Sequence, residues 1–197
     1  MPTRHRAQFV WIVALTLLGS AFVGAAKIKV RAEGDKTFDF SSVRTWDWDA
    51  PTPGKVILAR SAEDDPEAIR KRLEPTLMEA VAESFQARGL KKATSSAPDL
   101  KVTYYAIVKL TAGAQEMGQF LPATTFWGLP PFAPATTSFK AIQAGSLILD
   151  LVSPAKGDIV WRGIAETEVD PSKTDEERKA RLREGVRKLL EKYPPKK

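Results

Sequence analysis

The chain has 197 residues, 30 of them basic and 24 acidic, for a formal charge of +6, with no cysteine and a single histidine, His5. That length supports one hydrophobic core and does not require two. The missing thiols exclude disulfides, cysteine nucleophiles and lipid attachment through sulfur. With His5 close to the N-terminus, the rest of the chain also lacks the parts of a Ser-His-Asp triad or an ordinary zinc site.

Arg4 and Arg6 precede an apolar stretch over residues 9–18 and then small residues up to Ala26, the three-part order of a secretory signal. Small residues at the cleavage positions allow a cut after Ala25 or after Ala26. The alternative is an uncleaved membrane anchor. Cleavage takes away Arg4, Arg6 and His5, so a single domain of residues 27–197 keeps 28 basic against 24 acidic side chains, or +4. Residues 23–26 look like a lipoprotein processing site with Ala26 where the cysteine would stand. The expected product is a soluble periplasmic or secreted domain, with membrane contact only if the signal stays on.

Residues 27–32 and 44–49 alternate as strands do, the second with Trp46 and Trp48 on one face. Gly34-Asp35 and Ser41-Ser42 supply turns between them, and the stretch from Pro51 to Gly54 closes this unit. From Asp65 the period changes: Ile69, Leu73, Leu77, Val81 and Phe85 recur every four residues, the pattern of an amphipathic helix. Pro66 suits its first turn and Gly89 its left-handed stop, while Pro75 predicts a kink or a break.

Residues 99–110 form the clearest strand, with Leu100, Val102, Tyr104 and Ala106 on the face to be buried. Residues 145–152 and 158–169 form a strand pair joined by Pro154-Ala155-Lys156-Gly157. Thr174-x-x-Glu177 is a capping box, and it opens a helix whose stripe is Leu182, Val186, Leu189, Leu190 and Tyr193. Glutamates interleave with the basic residues of this helix, as on a solvated, salt-bridged face, which points away from nucleic acid.

Between the strands lies a loop at about 111–143, rich in Gly, Pro, Ala and Thr, that carries Phe120, Phe126, Trp127, Phe132 and Phe139. Loops of this length in compact domains are commonly functional. These aromatics are the candidate binding residues if they are exposed together, and a small satellite core if they fold back.

Asp47-Trp48-Asp49 does not complete a calcium loop, because Ala50-Pro51 follow. Gly113 and Gly118 have phosphate-loop spacing, but Gln119 stands where lysine is needed. No metal ligands, cofactor site or catalytic residues are therefore assigned. Asp150, Asp158 and Glu166 remain as carboxylates that a hydrolase could use.

Three stretches resemble one family. Residues 38–48, Phe-Asp-Phe-Ser-Ser-Val-Arg-Thr-Trp-Asp-Trp, resemble its opening motif. Residues 145–152 followed by Ile159-Val160-Trp161-Arg162-Gly163-Ile164-Ala165 resemble its central hairpin, and Val186, Leu189, Leu190 and Tyr193-Pro194-Pro195 resemble its last helix. The family is the bacterial domain of unknown function numbered 4136, and the resemblance spans nearly all of the mature chain. It implies a single envelope domain, commonly a lipoprotein of Gram-negative bacteria, and it transfers no catalytic residues. Trp48 and Trp161 are expected to pack in the core, and Gly163 to let a neighbouring element come close.

The fold expected is α+β: a mostly antiparallel sheet with two long helices packed on one face, in the order β-β-α-β-β-β-α. The function expected is a non-enzymatic binding or structural module of the cell envelope whose partner is an envelope protein or surface. The alternatives are a carboxylate-dependent hydrolase and an accessory factor anchored in the inner membrane.

Overall fold

In the computed structural model, residues 27–51, 53–58, 65–94, 96–108, 145–167, 170 and 172–195 are described. The hairpin at the centre of the sheet is formed by β6 (Ser146–Ser153) and β7 (Asp158–Glu166), antiparallel and joined through Gly157 at φ +74°. On one side β7 pairs antiparallel with β1 (Lys29–Gly34), and on the other β6 pairs antiparallel with β5 (Leu100–Val108). The remaining strands are β2 (Thr45–Trp48), β3 (Gly54–Leu58) and the two-residue β4 (Lys91–Lys92).

The described residues make a seven-stranded mixed sheet of order β1-β7-β6-β5-β2-β4, with β3 also on β5. This corrects the mostly antiparallel expectation: β2 with β5, β2 with β4 and β3 with β5 are all parallel. The cause is α1 (Pro66–Gln86). Each parallel pair joins a strand before this helix to one after it, and a helical crossover returns the chain to the end of the sheet from which it left. The order differs as well, since residues 54–58 form a strand where a unit was expected to end. β2 and β3 flank successive parts of the same edge of β5, and Asp49 N bonds Val102 O at 2.9 Å while Pro53 O accepts from Tyr104 N at 2.9 Å. Pro51 interrupts what is otherwise one strand.

Asp65 caps α1, its side chain accepting from Glu67 N at 2.9 Å, and Pro66 occupies the first turn. Gly89, at φ +80°, ends the turn after the helix, a conformation that costs an L side chain energy and glycine nothing. Pro75 sits inside an unbroken helix, contrary to the expected break. Burial of Ile69, Leu77, Val81 and Phe85 against the sheet, roughly 1.5–3 kcal/mol for each large side chain, outweighs the one backbone bond that proline removes. The second helix, α2 (Asp175–Leu190), opens on the Thr174/Glu177 capping box.

Both helices lie on one face of the sheet, over Leu147, Leu149, Leu151, Trp161 and Ala165. Val186, Leu189, Leu190 and Tyr193 complete that core, and an aromatic cluster of Trp46, Trp48, Phe85 and Tyr104 fills one end of it.

Candidate functional site

The opposite face of the sheet is where the chemistry concentrates. Strand alternation sends Ser146, Ile148 and Asp150 of β6 away from the helices, alongside Arg162, Ile164 and Glu166 of β7 and Thr103, Tyr105 and Ile107 of β5. Arg162 Nε and Nη2 donate to the two carboxylate oxygens of Asp150, each at 2.6 Å. The side chains are 2% and 1% exposed, so this is a bidentate ion pair inside the protein. Burial pushes the Asp150 carboxyl above its ordinary range, opposed by the guanidinium. Burial, and then the charge of Asp150, raise the Tyr105 phenol.

A β-bulge makes this pairing. From Ser153↔Asp158 a regular hairpin would place Asp150 opposite Trp161, but β7 carries one extra residue, Val160, between the partners of Val152 and Leu151. The shift puts Arg162 against Asp150. At the edge, Arg31 of β1 donates to Glu166, and Glu33 lies opposite Arg162. Burial raises the Glu33 carboxyl and the nearby Arg31 opposes that shift.

Of the carboxylates expected as candidates, Asp150 and Glu166 thus lie on one face, each held by an arginine, while Asp158 is exposed at the start of β7. Phe120, Phe126, Trp127, Phe132 and Phe139 lie outside the described residues, as do Ala25 and Ala26. Arg162 was not singled out from sequence. The signal available for the buried second face was the nearly unbroken apolar run of residues 147–152, which reads as a strand covered on both sides.

A second feature is a groove of about 450 Å³ between α1 and α2, lined by Ala80, Ser84 and Ala87 and by Arg88, Arg183 and Arg187. Its guanidiniums are already engaged: Arg88 donates to Ser84 O at 2.7 Å, Arg183 to Glu79 at 2.9 Å, and Arg187 to Glu191. Among the described residues no group of three or more acidic or His/Cys side chains is placed to hold a metal, and no helix is long and apolar enough to cross a membrane.

Fold and site together define a small α+β domain whose mixed sheet is buried on both faces at its centre. The family model described as Domain of unknown function (DUF4136) matches residues 30–195, and the chain belongs to that family. A DUF4136 family protein from Bacteroides thetaiotaomicron is similar in structure, with TM-score 0.52 at 17% identity over 85% of this chain and 96% of that one. A PDZ domain protein from Parabacteroides distasonis matches with TM-score 0.49 at 15% identity, over 88% of this chain and 37% of that one. The PelC dodecamer from Paraburkholderia phytofirmans matches with TM-score 0.39 at 10% identity, over 83% and 95%. At 17% identity the likeness to the Bacteroides protein is one of fold. Among curated proteins none matches.

Proposed function

We propose that the chain is an exported module of the cell envelope, periplasmic or secreted, that works by binding or by structural placement and not by turnover. The observation that carries this reading is the state of its buried carboxylates. A general acid or base must exchange its proton with a substrate. Asp150 instead gives both oxygens to Arg162, and Glu166 is tied to Arg31. Ser146 and not Asp150 is the residue opposite Glu166, so the two acids sit four registers apart. That is roughly 13 Å along the strands, whereas the paired carboxyls of glycosidases lie about 5–9.5 Å apart. The leader-like residues 1–26 support export, and an envelope protein or surface is the partner.

The test is turnover by the exported protein on chromogenic ester, phosphomonoester and glycoside panels, beside an Asp150→Asn variant. No turnover above buffer is expected from either. A rate lost in a folded Asp150→Asn protein would replace this reading with a carboxylate-dependent hydrolase. Mass spectrometry of the N-terminus from fractionated cells tests the location: a chain beginning at Ala26 or Lys27 in the periplasmic extract is expected, and one beginning at Met1 in the membrane pellet would replace the soluble form with an anchored one.

A further inference from the structure

Among the described residues β1 is the longest strand with a single partner, β7. The opposite end of the sheet is β4, two exposed lysines, short and charged as edges that stay unpaired commonly are. β1 is neither so short nor of one charge.

Two backbone bonds fix which way its polar groups point. Asp35 N donates to Val160 O at 2.7 Å, in the register that sets Gly34 against Trp161. Thr167 N donates to Gly145 O at 3.1 Å, in the register that sets Ser146 against Glu166. Bonds alternate along an antiparallel ladder, so Arg162, Ile164 and Glu166 turn their backbone groups toward β1, and Arg31 and Glu33 turn theirs toward β7. The N–H and C=O of Val30, Ala32 and Gly34 therefore point out of the sheet edge, where no backbone partner lies among the described residues.

The side chains select what fits there. Lys29, Arg31 and Glu33 stand on the helix-free face, opposite Glu166, Ile164 and Arg162, and Asp35 continues the row: two bases, then two acids. An antiparallel copy of the same segment centred on Ala32 sets Lys29 opposite Asp35 and Arg31 opposite Glu33, each pair twice. Every neighbouring centre opposes like charges. At Val30 it is Lys29 with Arg31, at Arg31 or Glu33 that residue with itself, and at Gly34 it is Glu33 with Asp35. Like charges directly opposite destabilise an antiparallel pair. On the other face Val30, Ala32 and Gly34 meet Gly34, Ala32 and Val30, extending the core against which Val30 and Ala32 are already half-buried.

We propose that β1 pairs antiparallel with β1 of a second copy about a two-fold axis at Ala32, joining two sheets into one with both helix layers on the same side. Arg31 keeps its bond to Glu166, and Asp35 its bonds from Thr37, so the charges set register more than strength. This inference goes beyond the proposed function and does not depend on it.

Sedimentation equilibrium of the purified protein at up to ~100 µM is expected to show a monomer–dimer equilibrium. Ala32→Pro removes an outward N–H and leaves the ladder to β7 intact. It should raise the dissociation constant at least ~10-fold with the far-ultraviolet spectrum unchanged. Glu33→Lys opposes like charges at both inner pairs and should weaken the dimer by a similar factor, most at low salt.

Because the chain has no cysteine, Ala32→Cys reads the register directly. The two Cα atoms at the axis stand about 5.5 Å apart in this pairing, within disulfide reach, so mild oxidation should link the copies. Val30→Cys lies four registers, roughly 13 Å, from its own counterpart and should stay unlinked. A protein that is monomeric throughout this range would overturn the proposal, as would a dimer that Ala32→Pro leaves intact. If Ala32→Pro does not fold, the thiols decide: Val30→Cys linking as fast as Ala32→Cys, or neither linking, contradicts the pairing.

Discussion

Gly163 lies directly against the Trp161 indole: a Cβ built on Gly163 would come 2.3 Å from Trp161 Cη2 and 2.7 Å from Leu189 Cδ1 of α2. Trp161 and Leu189 are fully buried, so neither has room to yield. Gly163→Ala is expected to destabilise the protein by about 1–3 kcal/mol through overpacking. Chemical denaturation measures this, and the loss should shrink when Trp161→Leu is added, because the first clash is then removed.

Tyr193 makes the opposite case. Its ring stands edge-on to Phe40, Phe85 and Trp161 at centroid distances of 5.8, 5.8 and 5.9 Å, yet its buried hydroxyl has no partner among the described residues. Burial accordingly pushes its pKa up. Tyr193→Phe keeps the ring and removes the unsatisfied oxygen, so stability should be unchanged or about 0.5–1 kcal/mol higher. A thermal melt that falls would show that the hydroxyl is bonded.

Asp99 joins the start of β5 to β2. One carboxylate oxygen accepts from Arg44 N at 2.9 Å, Thr45 N at 2.8 Å and Thr45 Oγ1 at 2.9 Å. The backbone bonds, from Arg44 first and Thr45 next, hold its pKa below the ordinary carboxylate value. For a depressed carboxylate, the stabilisation is full above the unfolded value of about 3.9 and is lost as pH falls through the folded one. Asp99→Asn should cost about 1 kcal/mol at neutral pH, a modest figure because the site is exposed and screened. The difference from the unsubstituted protein should shrink as pH falls below about 3.9 and disappear once Asp99 is protonated in the folded state as well.

Thr174 tests the last helix. Its hydroxyl accepts from Glu177 N at 3.3 Å while Glu177 returns to Thr174 N at 2.8 Å. Thr174→Ala should cost about 1 kcal/mol, and Thr174→Ser should recover most of it. Equal melting temperatures for all three would show that the cap does not stabilise the helix.

Local signals carried the two helices, their caps and the β6/β7 hairpin, because period, capping residues and turn chemistry act within a few residues of one another. The register of the hairpin was not legible. Nothing in the residues around Val160 announces a bulge, and without it Arg162 does not meet Asp150. The parallel pairs were missed for a related reason. They join strands on either side of α1, and a contact across twenty residues of helix leaves no periodicity in the chain. β3 was hidden by Pro51 and Gly54, which end one strand segment and start another along the same edge of β5. The family was legible because its motifs lie on the opening residues 38–48, the central hairpin and the last helix.

Asp150 and Arg162 form a structural tie inside the sheet, and a double-substitution cycle measured by chemical denaturation tests it. Each single change, Asp150→Leu or Arg162→Met, leaves an uncompensated buried charge and should cost about 3–5 kcal/mol, while the double apolar replacement should return to within about 1 kcal/mol of the original protein or exceed it. If Asp150→Asn alone made the protein more stable, as removal of a strained functional carboxylate does, Asp150 would be a working group and the structural account would be contradicted.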